Sequence, residues 1–355
     1  MMETDDAARL NGKVSSVTFA LLRLLVEGKF YSGEMLAQRL GISRASVSNA
    51  LRNVDALGLV LYSVRGKGYC LPHPPHWLNA ATILHYLKQN NSAAHPFQIE
   101  ILEQTPSTNT LLLQRAKISE VNGGASSGTV LVAEWQAGGR GRLGRQWHSG
   151  LGNALTFSLL WRFECGLSGL SGLSLAVGVA LIRALKKCGI QDAQLKWPND
   201  VLAKESKLAG ILLEAQGDML GPSAVVIGIG MNIYIPQSIK EKIGQPIISL
   251  TELIEHTPDR NQLLAIMLAE LQAVLQQFSA LGFAALRQEW QSYHALQGQE
   301  VTLTLPDGST VRGTARGVTD SGTLRLETAQ GMREMNAGEI AVGEMSANKI
   351  SAAKP

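Results

Sequence analysis

The sequence predicts a multidomain α+β protein, and three observations carry that expectation. A chain of 355 residues exceeds one ordinary domain, and with 45% hydrophobic residues it can bury more than one core. The spacing of apolar residues changes along it, from helical at the start, to mixed in the middle, to short strands around turns at the end. The stretch LPHPPHWLN (71–79), with three prolines, reads as a stiff linker after the first region. The expected units are a winged helix-turn-helix over 1–75, a mixed sheet with helices over 76–292, a small barrel over 293–345 and a disordered tail over 346–355.

In the first unit, VTFALLRLLVEG spaces apolar residues as a helix from Ser16 and stops at Gly28. SGEMLAQRLG offers Ser32 as a cap, with Met35, Leu36 and Leu40 on one face, and breaks at Gly41. SRASVSNALRNVDALG starts another helix capped by Ser43, so the tight Gly41, Ile42, Ser43 turn makes a helix-turn-helix. LVLYSVRGKGYCL then gives two strand-like runs about Arg65, Gly66, Lys67 and Gly68, the pattern of a β-wing. The third helix should turn Ala45, Val47, Leu51, Val54 and Leu57 inward and Arg44, Ser46, Ser48, Asn49 and Arg52 outward. Arginine can fork onto guanine, asparagine onto adenine, and serine can reach phosphate. That outer face, with Arg65 and Lys67 of the wing, therefore reads as a DNA-binding surface rather than a plain helical hairpin.

In the second unit FQIEIL (97–102) reads as a strand, and PSTNTLLLQRAK opens a helix at Ser107 or Thr108. TVLVAEWQ (129–136) is a strand running into a Gly/Arg loop, and NALTFSLLWRF (153–163) is a strand leaving it. SGLSLAVGVALIRALKKCG is a helix, AQLKWPNDVLAKESKLAGILLEAQ a strand, a turn and a second strand, and SAVVIGIGMNIYI a further strand. A last helix runs from Arg260 to near Leu281. Hairpin-like spacing favours a largely antiparallel or mixed sheet over a doubly wound one. The end, QEVTLTLPDGSTVRGTARGVTDSGTLRLETAQGMREM, is short strands around Pro-Asp-Gly, Asp-Ser-Gly and Ala-Gln-Gly turns.

A formal charge of +3 is too mild to establish nucleic-acid binding, which rests on the local motif instead. Cys70, Cys165 and Cys188 are widely spaced and form no CxxC, so neither a disulfide framework nor a zinc site is implied and a reducing cytoplasm fits. The start is acidic where a signal peptide is basic, and the apolar run LSLAVGVALIRAL is interrupted by Arg183 well short of a membrane span. No membrane partner is expected.

The chemistry concentrates in GGRGRLGRQWHS (138–149), four glycines and three arginines in one short loop. Glycines let the backbone approach an anion closely, and Arg140, Arg142 and Arg145 supply forked donors for carboxylate or phosphate. The stretch lacks both the GK[ST] ending of a P-loop and the GxGxxG pattern, so alone it fits a solvated basic loop equally well. Three other corners stand at strand ends: STN (107–109), KWPND (196–200) with KLAGIL after it, and GIGMN (228–232). Together they suggest one site, with amides and hydroxyls at the Ser107 helix start and the two-way amide of Gln136 at a strand end. Lys196 and Trp197 are adjacent in an extended segment and so cannot both point outward. His148, a single histidine beside Trp147, reads as a packing or surface residue.

With GRGRLGRQW, KWPND, KLAGIL and GIGMN together, the chain resembles the bifunctional biotin protein ligase and biotin-operon repressor family over nearly its whole length. The resemblance implies a central fold like class II aminoacyl-tRNA synthetases and a C-terminal SH3-like barrel. It implies that biotin and ATP, with Mg²⁺, give biotinyl-adenylate, and that biotin then passes to a lysine of the biotin carboxyl carrier protein. It further implies repression of the biotin operon by an adenylate-bound homodimer. Carried over by motif, the biotin-binding residues are Ser107, Thr108, Asn109, Gln136, Gly139, Arg140, Gly141, Arg142, Lys196, Gly210 and Gly230. Of these Lys196, Arg140 and Arg142 would be catalytic. Arg145, Trp147, Asn199, Lys207 and Asn232 would serve ATP or the adenylate, with no resident metal ligand. Two departures stand out. The chain reads Gln136-Ala137-Gly138-Gly139 where relatives read Gln-Gln-Ala-Gly, which predicts a more mobile loop before ligand binds. It also has Pro246 and Ile247 where some relatives carry an adenine-covering tryptophan. The rival readings are a lipoyl or octanoyl transferase and a repressor whose catalytic half only senses ligand.

Overall fold

The computed structural model describes residues 14–90, 95–118, 122–256 and 259–342. The expected disordered tail at 346–355 lies outside the described residues. The head contains α1 (Ser16–Leu24), α2 (Gly33–Leu40) and α3 (Arg44–Leu51). Each begins on a serine, Ser15, Ser32 or Ser43, whose side chain accepts a backbone N–H of the first turn, because those amides have no partner within the helix. Gly41 ends α2 at φ 64°, a left-handed conformation that glycine adopts without strain. Two strands, β1 (Tyr62–Val64) and β2 (Gly68–Cys70), pair antiparallel as the wing. Three details differ from the sequence-based expectation. Helix α1 stops at Leu24 rather than Gly28, and α3 stops at Leu51, with a separate 3₁₀ turn over Val54–Leu57. Ala45 is exposed, while Val47, Leu51, Val54 and Leu57 are buried as expected.

After α4 (Ala80–Asn90) come β3 (Gln98–Thr105), α5 (Thr108–Ala116), β4 (Thr129–Gln136), β5 (Ala154–Phe163) and α6 (Leu173–Lys187). Then follow β6 (Gln194–Lys196), β7 (Asp200–Ala203), β8 (Ser206–Gly217), β9 (Ser223–Asn232), α7 (Gln237–Lys240), α8 (Arg260–Leu281) and α9 (Ala284–Ser292). The sheet order is β3-β4-β5-β9-β8-β7-β6, parallel between β3 and β4 and antiparallel elsewhere, so it is mixed as the spacing suggested. Residues 193–216 form three strands rather than two. The extra hairpin turns on Lys204 and Glu205, both at positive φ, a turn normally marked by Asn or Gly and therefore invisible to composition. Segments Leu167–Lys187 and Arg260–Leu281 are long and apolar enough to cross a membrane, but α6 and α8 pack on each other, and residues of both join the main core.

The C-terminal strands are β10 (Glu300–Thr304), β11 (Thr310–Val318), β12 (Leu324–Thr328), β13 (Gly331–Met335) and β14 (Glu339–Val342). They form one antiparallel sheet in the order β13-β12-β11-β10-β14, with a bulge between Ala315 and Val318. Among the described residues no ladder joins β13 to β14, so the expected barrel is an open sheet here.

The proline-rich segment is not a free tether. Arg260 donates to His76 O from Nε at 3.1 Å and Nη2 at 2.8 Å, and its Nη2 is paired with Glu134, whose carboxylate accepts Leu78 N at 2.7 Å. Asn261 takes Asn79 N at 2.7 Å and gives to Trp77 O at 3.2 Å. The head then packs on the sheet: Trp135 and Leu151 belong to the same apolar cluster as Phe19, Leu22 and Leu57. Leu151 N donates to Leu57 O at 2.8 Å, Asn153 Nδ2 to Gly58 O at 3.1 Å, and Arg23 lies 4.5 Å from the centre of the Trp77 ring.

Candidate active site

One pocket lies over β5, β8 and β9 beside the end of β4 and the start of α5, and its inner corner is neutral and polar. Ser107 caps α5 and accepts Thr110 N at 3.4 Å. Ser107, Thr108 and Asn109 are all buried. Gln136 Oε1 accepts Thr108 N at 2.8 Å and lies 3.1 Å from Thr108 Oγ1. Ser158 Oγ on β5 lies 2.7 Å from Thr108 Oγ1 and 2.6 Å from Asn109 Oδ1. Each hydroxyl has one proton, so Thr108 can donate to Ser158 and Ser158 to Asn109 Oδ1, and the carbonyl oxygens of Asn109 and Gln136 keep lone pairs that a ligand N–H can use. The glycines make room for these groups. A Cβ on Gly228 would lie 2.1 Å from Asn109 Oδ1, and one on Gly230 would lie 2.5 Å from the Trp147 indole.

The arginine loop folds over the other end of the pocket. It leaves β4 at Gln136, bridges Arg140 to Gln146 and returns through a tight turn with Leu143 at φ 54°. Gly139 O accepts Trp147 N at 2.9 Å, and Gly141 N donates to Arg145 O at 2.8 Å, so the loop carries its own hydrogen bonds. Three cations of the pocket each meet a carboxylate. Arg140 pairs with Glu214 at 3.0 Å, Lys207 with Asp200 at 2.7 Å, and Arg145 with Glu339 of β14. Arg142 instead donates to Asn199 Oδ1 at 3.1 Å. Burial lowers the pKa of its guanidinium, Asp200 opposes that and Arg145 adds to it.

The two motif lysines are not equivalent. Lys207 lines the pocket, lies against Gly210, and places Nζ 6.0 Å from the Trp147 ring centre. Lys196 does not line it; it stands behind Asn199 and Asp200 in a separate narrow cleft with Ser174, Gly178 and Trp290. Trp197 is buried and donates Nε1 to Gly322 O at 3.0 Å, which leaves Lys196 the more exposed of the two, as its extended setting required. Burial lowers the Lys196 pKa, Asp200 opposes, and Lys207 and Arg145 lower it further.

Beyond the loop a second cleft shares Arg145, Trp147 and Lys207 and adds His148, Asn232, Lys242, Ile243 and Ile247. Asn232 is structural there, donating to Lys207 O at 3.3 Å and Ile248 O at 3.1 Å. His148 lines this cleft rather than the surface alone, and burial, with Lys242, lowers its imidazole pKa. Among the described residues no three His, Cys, Asp or Glu side chains gather as a metal cage. The site thus brings together Ser107, Thr108, Asn109, Gln136, Arg140, Gly141, Arg142, Arg145, Trp147, Asn199, Lys207, Gly210 and Gly230, and leaves Lys196 outside. Gly139 serves by close packing, since a Cβ there would lie 2.4 Å from Trp147 O. Ser158, Glu214, Asp200 and Glu339 were missed by sequence reasoning. Asp200 closes the quoted KWPND and was within reach, whereas the other three join the site only through tertiary pairing.

On the head, Arg44, Ser46, Ser48, Asn49 and Arg52 of the third-helix region and Arg65 and Lys67 of the wing are all exposed. Ser46 partly serves its own helix start, with Oγ 2.9 Å from Ser43 Oγ, and Asn49 Oδ1 accepts Arg52 Nη2 at 2.7 Å. Lys67 Nζ lies 5.9 Å from the Phe30 ring centre.

A winged helix clamped to a mixed sheet, with a neutral corner and a cationic loop in one pocket, defines a ligand-activating protein with a DNA-binding head. Family comparison agrees segment by segment. Residues 17–70 match the HTH domain, 101–232 the biotin/lipoate A/B protein ligase family, and 297–343 the biotin protein ligase C terminal domain. The chain is 35% identical over 330 residues to the bifunctional ligase/repressor BirA of Escherichia coli, covering 93% of this chain and 98% of that one. It is 30% identical over 316 residues to that of Bacillus subtilis, covering 89% and 94%. A biotin protein ligase from Aquifex aeolicus, solved in complex with biotin and ATP, superposes with a TM-score of 0.57 at 29% identity, covering 70% of this chain and 99% of that one. The chain belongs to the family of bifunctional biotin ligase/repressor proteins.

Proposed function

We propose that the protein activates biotin with ATP and transfers it to a lysine of the biotin carboxyl carrier protein. The observation that carries this is the junction in one pocket of a neutral corner of hydroxyls and side-chain amides with a loop of three arginines. The ureido ring of biotin brings N–H donors for the corner, which the dithiolane of a lipoyl group lacks. Its chain then points the carboxylate toward the loop. The carboxylate oxygen attacks the α-phosphorus of ATP, forming the C–O–P bond of biotinyl-adenylate and releasing pyrophosphate. A deprotonated carrier lysine then attacks the acyl carbon, an amide forms, and AMP leaves.

Both reactants of the first step are anions, so preorganised positive charge lowers its barrier. Lys207, rather than Lys196, is the lysine we assign to that charge, because its Nζ lies inside the pocket. Arg140 and Arg142 act with it, and Arg145 and Trp147 serve the nucleotide side, where Ile243 and Ile247 supply apolar cover in place of a tryptophan. Lys207 and Arg145 exchange Asp200 and Glu339 for ligand oxygens as the anions enter. Mg²⁺ would be held mainly by the ATP phosphates and would neutralise part of their charge there, since ions of this kind favour substrate oxygens. Titration calorimetry with biotin, lipoate and ATP, followed by pyrophosphate release, tests the assignment; lipoate binding with no response to biotin overturns it.

The same reading extends to the whole chain. The units divide near 75, 292 and 345, the central sheet is of the class II synthetase kind, and the last five strands are SH3-like, as their β13-β12-β11-β10-β14 order and bulge support. A cytoplasmic homodimer, favoured by biotinyl-adenylate, presents two heads to a two-fold operator of the biotin operon, because one head reads too few base pairs to be selective. Sedimentation and footprinting of the apo, biotin-bound and adenylate-bound protein test this; equal dimerisation and protection in all three states reject it.

A further inference from the structure

We propose that Glu214 is a positioning residue that ties Arg140, and with it the arginine loop, to the corner that reads the ligand. This rests on the biotin-activating reading above. Glu214 Oε2 accepts Asn109 Nδ2 at 3.0 Å and Arg140 Nη1 at 3.1 Å, while Oε1 lies 3.0 Å from Arg140 Nη2. A bidentate guanidinium–carboxylate contact fixes the plane of an arginine as well as its place, so Arg140 is aimed rather than only attracted. The Glu214 side chain is 20% exposed against 45% for Arg140, so solvent screens the pair in part and the aim of Arg140 rests on the bidentate geometry. Arg140 Nη1 has a second acceptor in Thr110 Oγ1 at 3.1 Å.

The carboxylate has two clients, and the second one gives it a function beyond holding an arginine. From Asn109 the contacts run to Ser158, to Thr108 and to Gln136, the last residue of β4 and the root of the loop. The loop thus leaves the corner at Gln136 and is tied back to it at Arg140. A ligand N–H donated to Asn109 Oδ1 polarises that amide and strengthens its Nδ2–H bond to Glu214, since linked hydrogen bonds reinforce one another. Occupancy of the corner therefore tightens the hold on the loop that covers the activated ligand.

The test is a double-mutant cycle on full-length protein loaded with labelled biotinyl-adenylate, read by its dissociation in a chase and by biotinylation of bystander lysines. Glu214→Ala is expected to release adenylate about tenfold faster, the scale of losing one charge-assisted contact. Hydrogen exchange at 138–149 in the unliganded protein rises with it. In an Arg140→Ala background the same substitution adds less than about twofold, because Glu214 acts through Arg140. If the two effects instead multiply, or Glu214→Ala holds adenylate like the parent, the proposal is overturned while the ligase reading stands. A parent protein that neither binds biotin nor releases pyrophosphate overturns both. Should Glu214→Ala lose its thermal transition, Glu214→Gln, which keeps the acceptor for Asn109 but not the charge for Arg140, carries the same cycle with a smaller acceleration.

Discussion

At the scale of single residues, the structure separates two lysines to which the resemblance gives different roles: Lys207 lines the pocket and Lys196 stands outside it. Lys207→Ala is expected to cut pyrophosphate release on the order of 10²–10³-fold, as removal of one preorganised charge from a polar transition state does. Lys196→Ala, outside the pocket, is expected to lose far less, and a loss as large as that of Lys207→Ala would return the role to Lys196. Gly228→Ala probes the corner: its Cβ would lie 2.1 Å from Asn109 Oδ1, so Asn109 must leave Ser158. Biotin affinity measured by calorimetry should fall about tenfold or more, the scale of one or more broken hydrogen bonds in a buried site. Sequence exposed much of this site because glycines, arginines and a helix-start STN declare themselves locally. It did not show which lysine lines the pocket, because KWPND and KLAGIL lie on strands joined by the Lys204–Glu205 hairpin, which composition does not mark.

At the scale of elements, helix α9 illustrates what periodicity does not reveal. The sequence expectation ends its last helix near Leu281, as α8 does, and assigns no element to 284–292, yet α9 there carries the joint between the central unit and the C-terminal strands. Just past it, His294 lies 4.8 Å from the Trp290 ring, bridges to Leu195 on β6, and has Nδ1 3.2 Å from Gln297 Oε1 with Nε2 unpartnered. Burial holds its pKa below the ordinary imidazole value, with the Gln297 contact opposing. A depressed histidine pKa in the fold means the neutral form is favoured there. Its stabilisation is present above the unfolded pKa near ~6.5 and is lost as pH falls toward the folded value. The melting temperature should therefore drop between about pH 7 and pH 5, and His294→Phe, which keeps a ring against Trp290 without a proton to gain, should flatten that drop. Parallel pH profiles for parent and variant would refute this assignment. The main strands were otherwise legible because apolar runs ended at glycines, whereas the open form of the last sheet depends on which edges pair.

At the scale of the whole molecule, the decisive question is whether the head is a separate body. The proline-rich segment suggested that it is, yet Arg260, Glu134 and Asn261 fasten that segment to the sheet, and the head closes over Trp135 and Leu151. Those contacts flank the arginine loop on both sides, for β4 leads into it and Leu151 follows it by two residues. A chain beginning after Pro75 would expose Leu151, worth about 2 kcal/mol of burial, and would lose the Leu57 and Gly58 carbonyl partners, worth about 1 kcal/mol each. It should therefore melt several degrees lower than the full chain, as a loss of this size implies. It should also hold biotinyl-adenylate less tightly, since the far end of the loop is no longer fixed. Scanning calorimetry of the full chain should show one cooperative transition, because an interface of this kind couples the two cores. Two transitions, together with a truncated chain whose ligand affinity equals the parent's, would mean that the head rides on the ligase without informing it. One transition and a weakened site would mean that the protein reads its ligand with the whole molecule, which is what coupling DNA binding to the state of the pocket requires.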